Sequence, residues 1–243
     1  FTSGQDILSF TNTSSTTFGN IAATYSASTG VLTLSSSGNT ATLAQWQAAL
    51  QAVKYANSSD NPSTTVRTVT FNVNDGSSNS NAVTSTINVT AVNDAPVLTT
   101  GSTLNYTEND AATAINTAIT LSDLDNAALA SATVSITGGF TSGQDVLSFT
   151  NTSSTTFGNI AATYNASTGV LTLSSSGNTA TLAQWQAALQ AVKYANSSDN
   201  PSTTVRTVTF NVNDGSSNSN AVTSTINVTA VNDAPVLTTG STL

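Results

Sequence analysis

Residues 1–104 return as residues 140–243 with two changes, Ile7 to Val146 and Ser26 to Asn165. The offset, 140 minus 1, is 139 residues. Self-similarity at a fixed period marks a repeat array, and solenoid turns repeat at roughly 20–50 residues. A period of 139 residues is the size of a whole globular domain instead. The chain therefore reads as a string of similar domains. Residues 1–94 form a first repeat lacking its opening strands, 95–233 a complete repeat, and 234–243 the start of a third. The expectation is a piece of a longer array. Each domain must bury its own core, and at this size about two-thirds of the unfolded surface is available for burial.

No staple assists that core, because the chain has no cysteine. A cysteine-free chain fits the cytosol, and equally proteins exported without disulfide machinery. No apolar run is long enough to span a membrane, so no membrane insertion is expected. Twelve acids face four bases and no histidine. That balance lacks the basic patch a nucleic-acid partner requires. Without His or Cys, common catalytic triads and zinc sites are excluded. A glycosidase pair of carboxylates remains formally open. The recurrence of the acids at the boundary of every copy argues against it, and no enzyme is expected. Ser- and Asn-rich chains can be disordered, but the apolar positions here are periodic.

The complete repeat reads as strands broken by turns. Ala132-Thr133-Val134-Ser135-Ile136 alternates with period two, as do Val205–Val212 and Ala221–Val228. Val97-Leu98, Leu104–Tyr106, Ala118–Leu121, Val146–Phe149, Ile160–Tyr164 and Val170–Leu173 supply shorter apolar runs. Ser167-Thr168-Gly169 and Asn213-Asp214-Gly215-Ser216 are hairpin turns. One segment departs from this rhythm. Leu182, Trp185, Leu189 and Val192 fall at helical spacing, and Thr181 with Gln184 forms a capping-box pattern. About three turns of helix follow, with the apolar face turned to the core. The prediction is an all-β chain of tandem immunoglobulin-like β-sandwiches with one short helix per repeat.

The acids of the complete repeat gather at strand ends. Glu108 lies in "YTEND", Asp123 and Asp125 in "SDLDN", Asp214 in "VNDG", and Asp233 follows Asn232 in the linker. If Asp123 and Asp125 are extended, a two-residue step aims both the same way. Two charges about 5 Å apart at an effective dielectric near 20 repel by roughly 3 kcal/mol. The repeat holds only Lys193 and Arg206 to offset this. Calcium, which takes six to eight oxygens, is the natural counter-charge. Backbone-bonded turns are the alternative for Asp123, Asp125, Asp214 and the Asn-Asp pair before proline. Asp6 and Asp145, in "SGQD", read as turn caps. Lys193 after the helix reads as a cation at its C-terminus.

The run from Thr204 to Val236, "TVRTVTFNVNDGSSNSNAVTSTINVTAVNDAPV", resembles the close of a cadherin-type repeat. "YTEND" and "SDLDN" resemble that family's early Glu and its Asp-x-Asp. The whole chain is similar to the cadherin-like repeats of giant, type I-secreted RTX adhesins of bacterial surfaces, on "VNDAPV" and "LAQWQAALQAVKYANSSDNP". The resemblance implies calcium at each junction. Near residue 94 it assigns Asn93, Asp94, Asp123, Asp125 and Asp214, with Asp60 from the preceding repeat. At the next junction it assigns Glu108, Asp199, Asn232 and Asp233, and it turns Asp75 toward an earlier one. Two departures, Ala91-Val92 before Asn-Asp and a lone Asp60 in "SSDNP", imply fewer ions than the family's full set. The expected role is an extracellular spacer that projects a terminal adhesive domain, with neighbouring repeats as its partners. The alternatives are direct binding of glycan or a neighbouring cell, with Trp185 and Tyr194 as the large aromatic candidates, and lateral assembly of identical chains into a fibre.

Overall fold

The computed structural model describes residues 1–237 and 239–240. It divides into two compact units, Phe1–Val92 and a second beginning at Asn93. Of the segment 234–243, read as the start of a third repeat, Thr238 and residues 241–243 lie outside the described residues. The first unit contains β1 (Asp6–Ser9), α1 (Ser15–Phe18), β2 (Ile21–Ser26), β3 (Val31–Ser36), α2 (Leu43–Gln51), β4 (Lys54–Asn57), β5 (Arg67–Phe71) and β6 (Val83–Ile87). The second opens with β7 (Val97–Thr99), β8 (Thr103–Thr107), β9 (Thr113–Ala114), β10 (Thr120–Ser122) and β11 (Ser131–Gly138). It continues with β12 (Asp145–Ser148), α3 (Ser154–Phe157), β13 (Ile160–Asn165), β14 (Val170–Ser175) and α4 (Leu182–Gln190). It closes with β15 (Lys193–Asn196), β16 (Arg206–Asn213) and β17 (Val222–Thr229).

The chain is all-β with few helices. In the second unit six strands form one sheet in the order β13-β14-β11-β16-β17-β8. Its pairs are antiparallel except the last, where β17 and β8 run parallel from Thr225↔Thr103 to Thr229↔Thr107. A second sheet has the order β12-β15-β9, and β7 pairs with β10. The alternation read from sequence sets which side chains go inward. Val208, Phe210 and Val212 of β16 are buried, as are Val222, Ile226 and Val228 of β17. They share one core with Val134, Leu171, Leu173, Leu147 and Tyr194. Each large side chain buried in this way contributes about 1.5–3 kcal/mol.

The helix forms as its sequence dictates. Gln184 N–H donates to Thr181 Oγ1 at 3.3 Å, and Thr181 N–H donates to Gln184 Oε1 at 3.0 Å, closing the capping box. Trp185, Ala188 and Leu189 are buried against the core. Nine residues make about two and a half turns. Each repeat also has a second, one-turn helix that the sequence does not predict. In α3, Ser153 Oγ accepts from Thr156 N–H at 3.2 Å, and Phe157 meets Phe149 edge-on with centroids 5.2 Å apart. A four-residue helix carries too few positions to display a 3.6-residue period, which is why it escapes the apolar pattern.

Asp145 exceeds the turn-cap role expected of it. Its Oδ2 does accept the Thr141 N–H at 2.7 Å. Its Oδ1 accepts from Tyr194 Oη at 2.5 Å and Asn196 Nδ2 at 2.7 Å, and lies 3.2 Å from Arg206 Nη2. Both charged partners are fully buried. Arg206 Nη1 donates to the carbonyls of Ser202 and Thr204, tying the loop before β16 to its first residue. Burial, and then the bond to Asp145, push the Tyr194 hydroxyl well above the usual phenol range. The first unit repeats this arrangement with Asp6, Tyr55, Asn57 and Arg67.

Near-identical sequences end differently in the two units. Residues 1–92 contain no counterpart of residues 95–139. In the second unit β11, from that segment, lies between β14 and β16, whereas β2-β3 and β5-β6 are separate two-stranded sheets. The stretch RTVTFNVN is strand for eight residues in β16 and for five in β5. Strand length here is decided by the neighbour that pairs with it. Burial follows: Val212 and Val222 are 0% and 9% exposed, while their counterparts Val73 and Val83 are 42% and 57% exposed.

Candidate functional site

One end of the second unit collects five of the predicted ligands. Asn93 and Asp94 sit in the segment before β7, Asp123 and Asp125 in the bend after β10, and Asp214 in the turn between β16 and β17. Asn93 Nδ2 donates to Asp214 Oδ2 at 2.9 Å and to Ser217 Oγ at 3.3 Å. The Asp94 backbone N–H donates to Asp125 Oδ2. Asn126 Nδ2 donates to Asn93 Oδ1 at 3.3 Å. These bonds place Asn93 and Asp94 with the second unit.

The acids reach this end by turns. Asp123 and Asp125 are not extended, so the alternation argument used for them does not apply. Asp123 Oδ1 accepts the N–H groups of Asp125 at 2.9 Å and Asn126 at 2.7 Å, the Asx-turn geometry that bends the chain here. Asp214 Oδ1 accepts from Ser216 N–H at 2.5 Å and Ser217 N–H at 2.7 Å. Gly215 supplies the positive φ, 105°, that closes this hairpin. Oδ1 of Asp123 and Oδ1 of Asp214 thus hold their own turns, which leaves the Oδ2 of each for another partner. Asp123 Oδ2 is buried with no hydrogen-bond partner. Burial opposes ionisation of Asp214, but the bonds from Asn93, Ser217 and Ser216 outweigh it and hold its carboxyl below the usual carboxylate range.

The opposite end of the same sheet carries Glu108. Its backbone N–H donates to Thr229 O at 2.9 Å, and its Oε2 accepts the Val231 N–H at 2.7 Å. Its Oε1 is buried with no hydrogen-bond partner. Asp199 lies in the loop after β15, exposed. That strand ends at Asn196, whose N–H donates to Tyr106 Oη at 3.3 Å, two residues before Glu108. Asn232 and Asp233 are exposed just beyond Val231, with Asn232 Nδ2 donating to Asp233 O at 3.2 Å. Among the described residues no hydrogen bond joins Asp199, Asn232 or Asp233 to Glu108.

In the first unit Asp75 repeats the turn of Asp214, its Oδ1 accepting from Ser77 and Ser78 N–H at 2.8 Å each. Those bonds, Ser78 first, lower its carboxyl below the usual range. Asp60 is exposed in the loop after β4. Trp185 and Tyr194, the aromatic candidates for stacking on a sugar, are both buried in the core.

Chemically, this end offers hard oxygen donors: carboxylates of Asp123, Asp125 and Asp214 and the amide carbonyls of Asn93 and Asn126. The donor type suits calcium or magnesium and no softer metal. As arranged, no group of three or more acidic side chains is placed to hold a metal ion among the described residues. The Asn93 amide and the Asp94 N–H donate to the very oxygens a cation needs. Turning the Asn93 amide over presents its carbonyl instead. Asn126 and Ser217 were not singled out in the sequence. Both sit within motifs already noted, directly after the acid pair and three residues past Asp214. No protein-family model matches the chain, and no curated protein matches it either.

Proposed function

We propose that this chain is a spacer of a long, extracellular bacterial adhesin, built of cadherin-like β-sandwich repeats, and that calcium at the repeat ends stiffens it. The observation that carries the reading is the gathering of Asn93, Asp94, Asp123, Asp125 and Asp214 at one end, with Asp123 Oδ2 buried and unpaired. An anionic oxygen in that condition costs about 1–3 kcal/mol or more, and a cation removes the cost. Calcium held by Asp123, Asp125 and Asp214 and by the Asn93 carbonyl supplies charge neutralisation and a fixed direction for residues 93–94. A linker clamped in this way loses torsional freedom. Glu108 Oε1 supports a second ion at the other end, beside Asn232 and Asp233.

The near-identity of the repeats fits a role in which length matters and no copy has a private task. The chain has no catalytic role in this reading. Millimolar calcium outside cells fills such sites, while cytosolic levels leave them empty. Small-angle scattering of the chain, in calcium and in chelator, tests the stiffening: a larger maximum dimension in calcium is expected, and equal dimensions refute it. Calorimetric titration with calcium reads the site itself, and an absence of binding at millimolar metal removes the cation from the reading.

A further inference from the structure

Of the two differences between the repeats, one, Ser26 against Asn165, falls at the last residue of the first strand in a hairpin. The turn does not need the asparagine. In the first unit the N–H groups of Thr29 and Gly30 donate to Ser26 O at 3.3 and 2.9 Å. In the second those of Thr168 and Gly169 donate to Asn165 O at the same two distances. The serine supports its turn with its hydroxyl, which accepts from Thr29 Oγ1 at 2.8 Å. What asparagine adds is a carboxamide. Its Oδ1 accepts the Ser167 N–H at 3.0 Å and the Ser167 hydroxyl at 2.6 Å. A backbone N–H can meet only the oxygen of an amide, so the orientation is fixed and Nδ2 is the end left over. Among the described residues Nδ2 has no hydrogen-bond partner, and Asn165, Ala166, Ser167 and Thr168 are all exposed.

Asn165-Ala166-Ser167 is an Asn-x-Ser triplet, the acceptor pattern for N-linked sugar. In a chain this rich in Asn, Ser and Thr such triplets arise readily, so the triplet alone decides nothing. The second unit has five, beginning at Asn105, Asn151, Asn165, Asn196 and Asn227, and the fold sorts them. Asn151 Nδ2 donates to the carbonyls of Gly158 and Ile160, at 3.0 Å each. Asn196 is buried, with Nδ2 donating to Asp145. Asn227 Nδ2 donates to Asn105 Oδ1 at 2.9 Å across the β8–β17 ladder, tying those two side chains together. Of the five, Asn165 alone combines an exposed turn, an amide nitrogen without a partner and the hydroxyl of its own triplet bonded to its carbonyl.

We propose that Asn165 is an acceptor site for an N-linked sugar, delivered by a glycosyltransferase from a glycosyl phosphate ester. Nδ2 forms a bond to C1 of the sugar. The C1–O bond to phosphate breaks, the phosphate leaves with its electron pair, and one amide proton passes to a base of the transferase. The two Ser167 bonds to Oδ1 hold the amide in place for this exchange. β13 ends the six-stranded sheet, so its outer edge is unpaired. A bulky, solvated sugar on its last residue stands beside that edge and hinders pairing with another chain. The proposal rests on the reading of the chain as extracellular and does not depend on calcium.

The whole folded chain, purified from cells that attach no sugar, tests it in two reactions. One supplies a soluble N-glycosyltransferase with a sugar nucleotide, the other a membrane oligosaccharyltransferase with a lipid pyrophosphate sugar. Peptide mass mapping reads the sites. Sugar on Asn165 in either reaction supports the proposal, and the reaction that works identifies the donor. Freeing the Asn151 amide means breaking two hydrogen bonds, so occupancy at Asn165 is expected to exceed that at Asn151 by about tenfold or more. Ser167→Ala abolishes acceptance while the backbone bonds keep the hairpin. Ser26→Asn creates an Asn-Ala-Ser triplet on the matching turn and confers acceptance on the first unit. Scattering in calcium and in chelator reads the stiffening separately, so the two readings fail independently. No sugar on Asn165 in either reaction, or equal occupancy at Asn165 and Asn151, overturns the proposal.

Discussion

Asp123 has two oxygens with separate duties, and Asp123→Asn separates them. The amide keeps Oδ1, which holds the Asp125 and Asn126 N–H groups at 2.9 and 2.7 Å, so the turn survives. It replaces the buried, unpaired Oδ2 and removes the charge. In chelator the substitution exchanges an unsatisfied anionic oxygen for an unsatisfied neutral amide, so stability stays within about 1 kcal/mol of the parent or rises. In calcium at a hundred times its dissociation constant, the parent gains about 2.7 kcal/mol. Loss of one charged ligand that weakens binding a hundredfold leaves a gain of only about 0.4 kcal/mol. The variant is therefore expected to match the parent in chelator and fall behind by about 2 kcal/mol in calcium. Urea unfolding of the whole chain in the two solutions, following the transition of the second unit, measures both differences. Asp123→Ala removes the turn bonds as well, and it should destabilise by a further 1 kcal/mol or so in each solution. Equal effects of Asp123→Asn with and without calcium refute the cation reading and assign this carboxylate to its turn alone.

Two further outcomes follow from the buried charges. Asp145→Asn strands the Arg206 guanidinium in a fully buried position and is expected to cost about 3–5 kcal/mol in denaturant unfolding of the second unit. Asp145→Asn combined with Arg206→Met recovers most of that loss, and a double variant no more stable than the single one shows that the stranded charge is not its source. Burial opposes ionisation of Asp6, but bonds from Tyr55, Thr2 and Asn57, with Arg67 beside it, lower its carboxyl from 3.8 to about 2. A lowered folded value means stability that is full above about pH 4 and lost as the pH falls toward 2. At 1.36 kcal/mol per unit, that drop removes about 2 kcal/mol from the first unit. Acid titration of unfolding free energy measures it, and an unchanged slope between pH 4 and 2 in Asp6→Asn contradicts the assignment.

The elements that declare themselves in the sequence are those whose cause is local. The alternation in β16 and β17 and the Thr181–Gln184 box of α4 each need only neighbours along the chain. What the sequence does not reveal rests on pairs far apart in it. The Asp145–Arg206 contact joins residues 61 positions apart, and the parallel β8–β17 ladder joins residues 122 apart. Nothing in "SGQD" distinguishes a turn acid from one that also holds a buried arginine. The convergence of Asn93 with Asp214, 121 positions apart, was expected from a family resemblance and not from spacing. The bend at Asp123 follows from Asx chemistry, the backbone-bonded alternative that the sequence left open beside an extended pair. The shortened β5 was illegible for a different reason: its sequence is that of β16, and only the missing neighbour differs.

The parallel ladder between β8 and β17 has a mechanical consequence. The second unit is entered near Asn93, beside the Asp214 turn, and left near Val231, beside Glu108 at the other end of the sheet. Tension drawn through those two points pulls β8 and β17 in opposite directions along their lengths. The load falls on the rungs from Thr103↔Thr225 to Thr107↔Thr229 simultaneously, in shear. An antiparallel hairpin pulled from its open end would surrender its rungs one by one. A domain whose first long strand and last strand run side by side in the same direction resists stretching with the whole ladder at once.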